Sequence, residues 1–146
     1  MKIAKLSYEE FIESFKNVPR AAISIAIFNE KEILLTKRRE DPFKDFWHLP
    51  GSYIIKNESI QECVKRVLRE ELGFEGDFSS KLLFLSEDLD KDPRGHTLDL
   101  IYEVKIGADA AINPVGRTKE LGYFGKIPAN VGFNHPDVLK RLGFQI

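Results

Sequence analysis

Cysteine is nearly missing from this sequence: Cys63 stands alone among 146 residues. An intrachain disulfide is excluded, and with it a small fold stapled by cross-links. One thiol suits a reducing cytoplasm, and a lone cysteine on a helix is expected to be a buried small residue, not a nucleophile. Charge of one sign is missing too. The 22 basic and 23 acidic side chains interleave to a formal charge of −1, which leaves no basic field for nucleic acid. No apolar run approaches the ~20 residues of a membrane span, so no membrane partner is expected. The opening stretch, Met1 to Val18, carries acids at amphipathic spacing and does not read as a targeting peptide. Repeats, low-complexity tracts and linkers are lacking as well, so residues 1–146 are read as one domain.

What is present is patterned. Ser7 with Glu10 forms a capping box for a short helix to about Val18. Two β-rich runs, Ala21–Phe28 and Glu32–Lys37, flank the polar turn Asn29-Glu30-Lys31 and predict a hairpin. After a charged loop and the stretch Phe46-Trp47-His48-Leu49, Pro50-Gly51-Ser52 breaks the pattern. Ser59 with Glu62 opens a second helix that runs to Leu72 and stops at Gly73. Lys81–Leu85, Thr97–Val104 and Tyr123-Phe124 read as strands. A last helix, capped by Asn134 with Pro136 in its first turn, ends near Leu142. Strands around one central helix imply a mixed α/β (α+β) layered domain.

The chemistry sits on the central helix. With Ile60 at zero and about 100° per residue, Ile60, Cys63, Val64, Val67 and Leu68 share one arc. Glu71 falls inside that arc and Glu70 at its edge, while Arg66, Arg69 and Glu62 fall on the other side. Two adjacent carboxylates thus occupy the last turn, where the helix dipole disfavours negative charge. A carboxylate among apolar neighbours needs compensation. Mg²⁺ supplies it, because this ion pairs one or two carboxylates with substrate phosphates. The plain alternative is that Glu70 pairs with Arg66 and Glu71 reaches solvent.

From Leu49 onward, the segment LPGSYIIKNESIQECVKRVLREELGF resembles the Nudix box. Glu58, Arg66, Leu68, Glu70, Glu71, Gly73 and Phe74 match at the required spacings, and the preceding Leu-Pro-Gly and Trp47 resemble its usual lead-in. KRREDPFKDFWHLPG is similar to the approach in nucleotide-sugar members, and DPRGH at Asp92–His96 and GFNHPDVL to ADP-ribose pyrophosphatase-like members. The resemblance implies a Nudix-like α/β/α sandwich with a mixed sheet. Three positions depart from the pattern. Ser52 replaces its opening glycine, Ile55 an acid of many pyrophosphatase members, and Val67 the glutamate often assigned as metal ligand or base. GDP-mannose mannosyl hydrolases, a Nudix branch, also lack that glutamate and work with one metal.

These matches imply one Mg²⁺, with Mn²⁺ as a substitute, held by Glu70, Glu71 and the Gly51 carbonyl. Arg66 is expected to orient the carboxylates and Glu58 to tie the loop to the helix. Arg38, Arg39 and Lys37 are candidates for phosphate contact, Arg94 for substrate contact, and Phe43 for stacking on a base. His96 is the candidate general base, its pKa lying near neutrality, with Asp99 and Glu120 behind it. Trp47, His48 and His135 read as structural. The expected activity is Mg²⁺-dependent hydrolysis of a nucleoside diphosphate linked to a sugar, of ADP-ribose or GDP-mannose type, in the cytoplasm. The alternative is a catalytically impaired domain that senses nucleotide sugars, marked by Val67. A homodimer is a candidate assembly, which the first helix could serve.

Overall fold

The computed structural model describes residues 4–146. The expectation about a targeting peptide falls partly on residues 1–3, which lie outside the described residues. The elements run α1 (Tyr8–Ser14), β1 (Arg20–Ala26), β2 (Phe28–Asn29), β3 (Glu32–Arg38), β4 (Trp47–His48) and β5 (Gly51–Tyr53). They continue with α2 (Ile60–Leu72), β6 (Ser79–Asp88), β7 (Thr97–Lys105), β8 (Thr118–Phe124) and α3 (His135–Arg141). No helix among the described residues is long and apolar enough to cross a membrane.

The strands form two four-stranded sheets. One has the order β5-β1-β7-β6, with β1 and β7 parallel and the other pairs antiparallel. In the other, β3 is flanked by β2, β4 and β8, all antiparallel to it. Alternation along the strands splits the core in two. Ile23, Ile25, Ile27 and Leu34 pack with Cys63, Val64, Val67, Leu68 and Leu72 of α2. Ala26, Ile33, Leu35 and Ile101 pack on the opposite face with Val138 and Leu139 of α3. The result is the mixed α/β/α layering that the sequence predicts.

The expected hairpin is shorter than its two apolar runs. Only Phe28 and Asn29 pair with Ile33 and Glu32, while β1 crosses into the other sheet between β5 and β7. Continuous apolar character cannot distinguish one long strand from two that divide between sheets. The first helix ends at Ser14 rather than near Val18. In α3 the Asn134 side chain makes no cap. Its Nδ2 donates instead to Ser86 Oγ at 3.0 Å and to the Glu87 carbonyl at 3.2 Å.

Helix α2, which carries the site, is tightly defined. Glu62 N donates to Ser59 Oγ at 3.1 Å, and Ser59 N to Glu62 Oε2 at 2.8 Å. Gly73 ends the helix at φ 63°, a left-handed conformation that favours glycine.

Candidate active site

A long cleft opens between the end of α2, the β3–β4 approach, β5 and the loop before α3. Two kinds of charge line it. The closing turn of α2 contributes Glu70 and Glu71, and β3 and the loop before β7 contribute Arg38 and Arg94.

Arg66, one turn before the acids and outside the arc that faces the sheet, is nonetheless buried. The arc counts only the face against the sheet, whereas β5 and the loop after it cover a second side. Arg66 donates to Glu58 from Nε at 2.7 Å and Nη2 at 3.0 Å, to Ser52 Oγ at 2.9 Å and to the Tyr53 carbonyl at 2.9 Å. Burial opposes its charge, but the hydrogen bond to Glu58 and the charges around it hold the guanidinium above its ordinary pKa. Ser52 thus has a use: its hydroxyl helps fasten β5 to α2.

Glu71 lacks such company. Thr118 Oγ1 donates to it at 3.1 Å, and desolvation outweighs that bond and the more distant Arg38 and Arg117, pushing its pKa up to about 7. Glu70 is half-buried, which opposes ionisation, yet the Lys5 hydrogen bond and the charges of Lys5 and Arg66 keep it below the usual carboxylate range. Arg66 Nη1 approaches Glu70 Oε2 at 3.5 Å.

Facing the acids, Arg38 is mostly enclosed. Burial, and then the like charge of Arg94, pull its pKa down. Among the described residues its side chain donates only to the Pro42 carbonyl and forms no ion pair. Arg94 is clamped by Asp92, Nε to Oδ1 at 3.0 Å and Nη2 to Oδ2 at 2.9 Å, and Tyr53 donates to Asp92 Oδ2 at 2.7 Å. Phe133 lies near both guanidiniums, 5.1 Å from Arg38 and 5.6 Å from Arg94 to its ring centroid.

The cleft floor holds groups that the sequence reading leaves as structural or secondary. The Leu49 amide donates to His135 Nδ1 at 3.0 Å, so the ring proton sits on Nε2, 3.4 Å from Asp99 Oδ2. Ser24 Oγ donates to the same oxygen at 2.8 Å, and Asp99 Oδ1 has no partner among the described residues. His48, 6.0 Å from His135 ring to ring, is driven well below its ordinary pKa by burial and then by Arg38, and is neutral.

Of the predicted residues, the structure brings Glu70, Glu71, Gly51, Arg38 and Arg94 to one cleft, with Asp99 on its floor. It does not bring His96, Arg39 or Phe43 there. Thr97 and Asp99 turn inward on β7, so alternation turns His96 the other way, where Nε2 lies 3.0 Å from Glu87 Oε2. Arg39 donates to the Thr118 carbonyl at 3.3 Å. Phe43 packs behind Phe133 at 4.7 Å, where Gly132 has no room for a side chain. Lys37 and Glu120 pair with each other at 3.0 Å. Gly51 approaches β1 so closely that a Cβ would lie 2.5 Å from the Ile23 carbonyl, which explains the glycine without a ligand.

The carboxylates at the end of α2 have the chemistry that a divalent cation takes. Two adjacent carboxylates, one crowded and poorly compensated, match Mg²⁺ or Mn²⁺ completed by phosphate and water oxygens. Among the described residues no group of three or more acids, histidines or cysteines is placed to hold an ion by itself. Val67, where a further acid would stand, is buried in the α2 core.

The profile of the NUDIX domain matches residues 18–125. An ADP-ribose pyrophosphatase of Methanocaldococcus jannaschii is 35% identical over 99 residues, 63% of this chain and 58% of the relative, so the match spans under two thirds of that protein. The NUDIX domain of NrtR from Shewanella oneidensis, solved with ADP ribose, superposes with a TM-score of 0.70 at 18% identity, covering 94% of this chain and 97% of that one. A bifunctional NMN adenylyltransferase/ADP ribose pyrophosphatase of Francisella tularensis, solved with AMP and a manganese ion, also reaches 0.70. Its identity is 18%, and the match covers 92% of this chain and 46% of that one.

Proposed function

The chain belongs to the NUDIX domain family, and on that premise we propose that its cleft hydrolyses a nucleoside diphosphate linked to a sugar, with one Mg²⁺ held by Glu70 and Glu71. The observation that carries this reading is the division of charge across one cleft. Two carboxylates stand on one wall, and Arg38, without an ion pair among the described residues, stands on another with Arg94. A diphosphate set between them would meet a cation on the acidic side and guanidiniums on the basic side. The bound ion would neutralise diphosphate charge and polarise the leaving group. Glu71 and Glu70 would hold the ion, and the Gly51 carbonyl, from the β5 side of the cleft, would be its third protein oxygen. Arg94, fixed by Asp92, orients the diphosphate, while Phe133 walls the cleft beside both guanidiniums. Arg66 acts one step removed, as a positioning residue that ties β5 and Glu58 to the turn bearing the acids.

ADP-ribose is the first substrate to test, because a relative at 35% identity is an ADP-ribose pyrophosphatase. GDP-mannose is the second, because that type of site resembles this one in lacking an acid where Val67 stands. Purified protein incubated with Mg²⁺ and each compound is expected to release either nucleoside monophosphate plus sugar phosphate, or nucleoside diphosphate plus free sugar. The products identify the bond broken, and Glu71→Gln is expected to abolish turnover. Tight binding of either compound without turnover would replace this reading by a sensing role, which the loss of the acid at Val67 favours.

A further inference from the structure

We propose that residues 4–15 form a strap across the site, and that Lys5 is the resident cation of Glu70 which a divalent ion must displace. The inference rests on the reading that Glu70 holds the ion. Lys5 Nζ lies 2.5 Å from Glu70 Oε1 and 3.0 Å from Oε2, so it spans both oxygens of one carboxylate. An ammonium that spans both oxygens occupies the lone pairs that a divalent ion would take, and its like charge adds a repulsion to that competition. Metal binding therefore requires Lys5 to leave.

The strap is seated, not merely nearby. Phe11 and Phe15 pack edge-on against Tyr53 at 5.3 and 5.2 Å, and Arg94 lies 5.7 and 5.9 Å from their ring centroids. Gly95 leaves the space that Phe15 fills: a Cβ there would lie 3.0 Å from the Phe15 side chain, and its φ of 149° is one that side chains rarely adopt. One segment thus touches the acidic wall through Lys5 and the basic wall through Arg94. Its ionic contact is the breakable one, since the Lys5 and Glu70 side chains keep 58% and 35% of their surface in solvent. The rings that seat α1 are independent of the ion, so displacement frees Lys5 first.

Mn²⁺ titration followed by electron paramagnetic resonance tests this in the full chain without turnover. Replacing Lys5 by methionine keeps the length and removes the charge, and is expected to tighten Mn²⁺ binding about three- to tenfold, the scale of a partly exposed ion pair with its repulsion. Glu70→Gln is expected to weaken binding at least ~10-fold. In the double variant the Lys5 effect is expected to vanish, as it acts only through Glu70. Amide exchange at Phe11 and Phe15 is expected to change little on adding Mn²⁺. Loss of affinity in Glu70→Gln with Lys5→Met equal to or weaker than the parent overturns the strap and leaves the metal assignment standing. Equal affinity of parent and Glu70→Gln overturns the metal assignment itself.

Discussion

Helix α2 carries charged side chains in two settings one turn apart. Arg66 is enclosed with Glu58 of the loop before the helix, and its guanidinium is met by two carboxylate oxygens, a hydroxyl and a backbone carbonyl. Glu71 is crowded as well, but meets one neutral hydroxyl and only distant arginines, and its pKa is pushed up to about 7. The same helix thus holds a charge that the protein satisfies from within and one that it leaves short. The first kind holds architecture together. The second is stable ionised only when something else arrives, and that separates the part of the box that builds the fold from the part to which we assign the chemistry.

Substitution separates the two settings most visibly. Glu71→Gln is expected to lower kcat/KM by at least ~100-fold with Mg²⁺ saturating, while the melting temperature holds or rises. Arg66→Met is expected to do the reverse in kind. It leaves Glu58 buried without its cation and costs about 3 kcal/mol or more of stability in a urea titration. A neutral result there would mean that the enclosed pair is not architectural.

A pH series sharpens the contrast. From about pH 4.5 to about 7 the unfolded chain ionises the Glu71 carboxyl while the folded chain keeps its proton. Metal-free stability should therefore fall as pH rises through that window and level off above it, by on the order of 1 to 3 kcal/mol. Glu71→Gln is expected to remove that fall and to be more stable than the parent at pH 8. Arg38→Met is expected to weaken ADP-ribose binding about 10-fold by calorimetry with little change in stability, since Arg38 has no ion pair among the described residues. The smallest effect belongs to His96→Ala. Its pair with Glu87 is exposed, so stability should move by less than ~0.5 kcal/mol and turnover by less than about twofold.

Much of this was legible in the chain because it is local. The capping boxes at Ser7 and Ser59, the stop at Gly73 and the two acids before it depend on spacings of a few residues, and the structure has all of them. The burial of Arg66 was not legible, because a helical arc does not show that β5 wraps a second side. Nor was the cleft floor. Leu49 meets His135 across 86 residues and Ser24 meets Asp99 across 75, contacts that only the sheet order creates. His96 stood out through its flanking motif, but one step of strand alternation separates it from the inward-facing Thr97 and Asp99.

The most direct test is a crystal grown with Mn²⁺ and ADP-ribose and measured at the manganese edge. One anomalous peak per chain is expected, between the side chains of Glu70 and Glu71 and the diphosphate, with Lys5 moved off Glu70. Both acids turned to solvent with no peak between them, while nucleotide fills the cleft, would contradict the metal assignment.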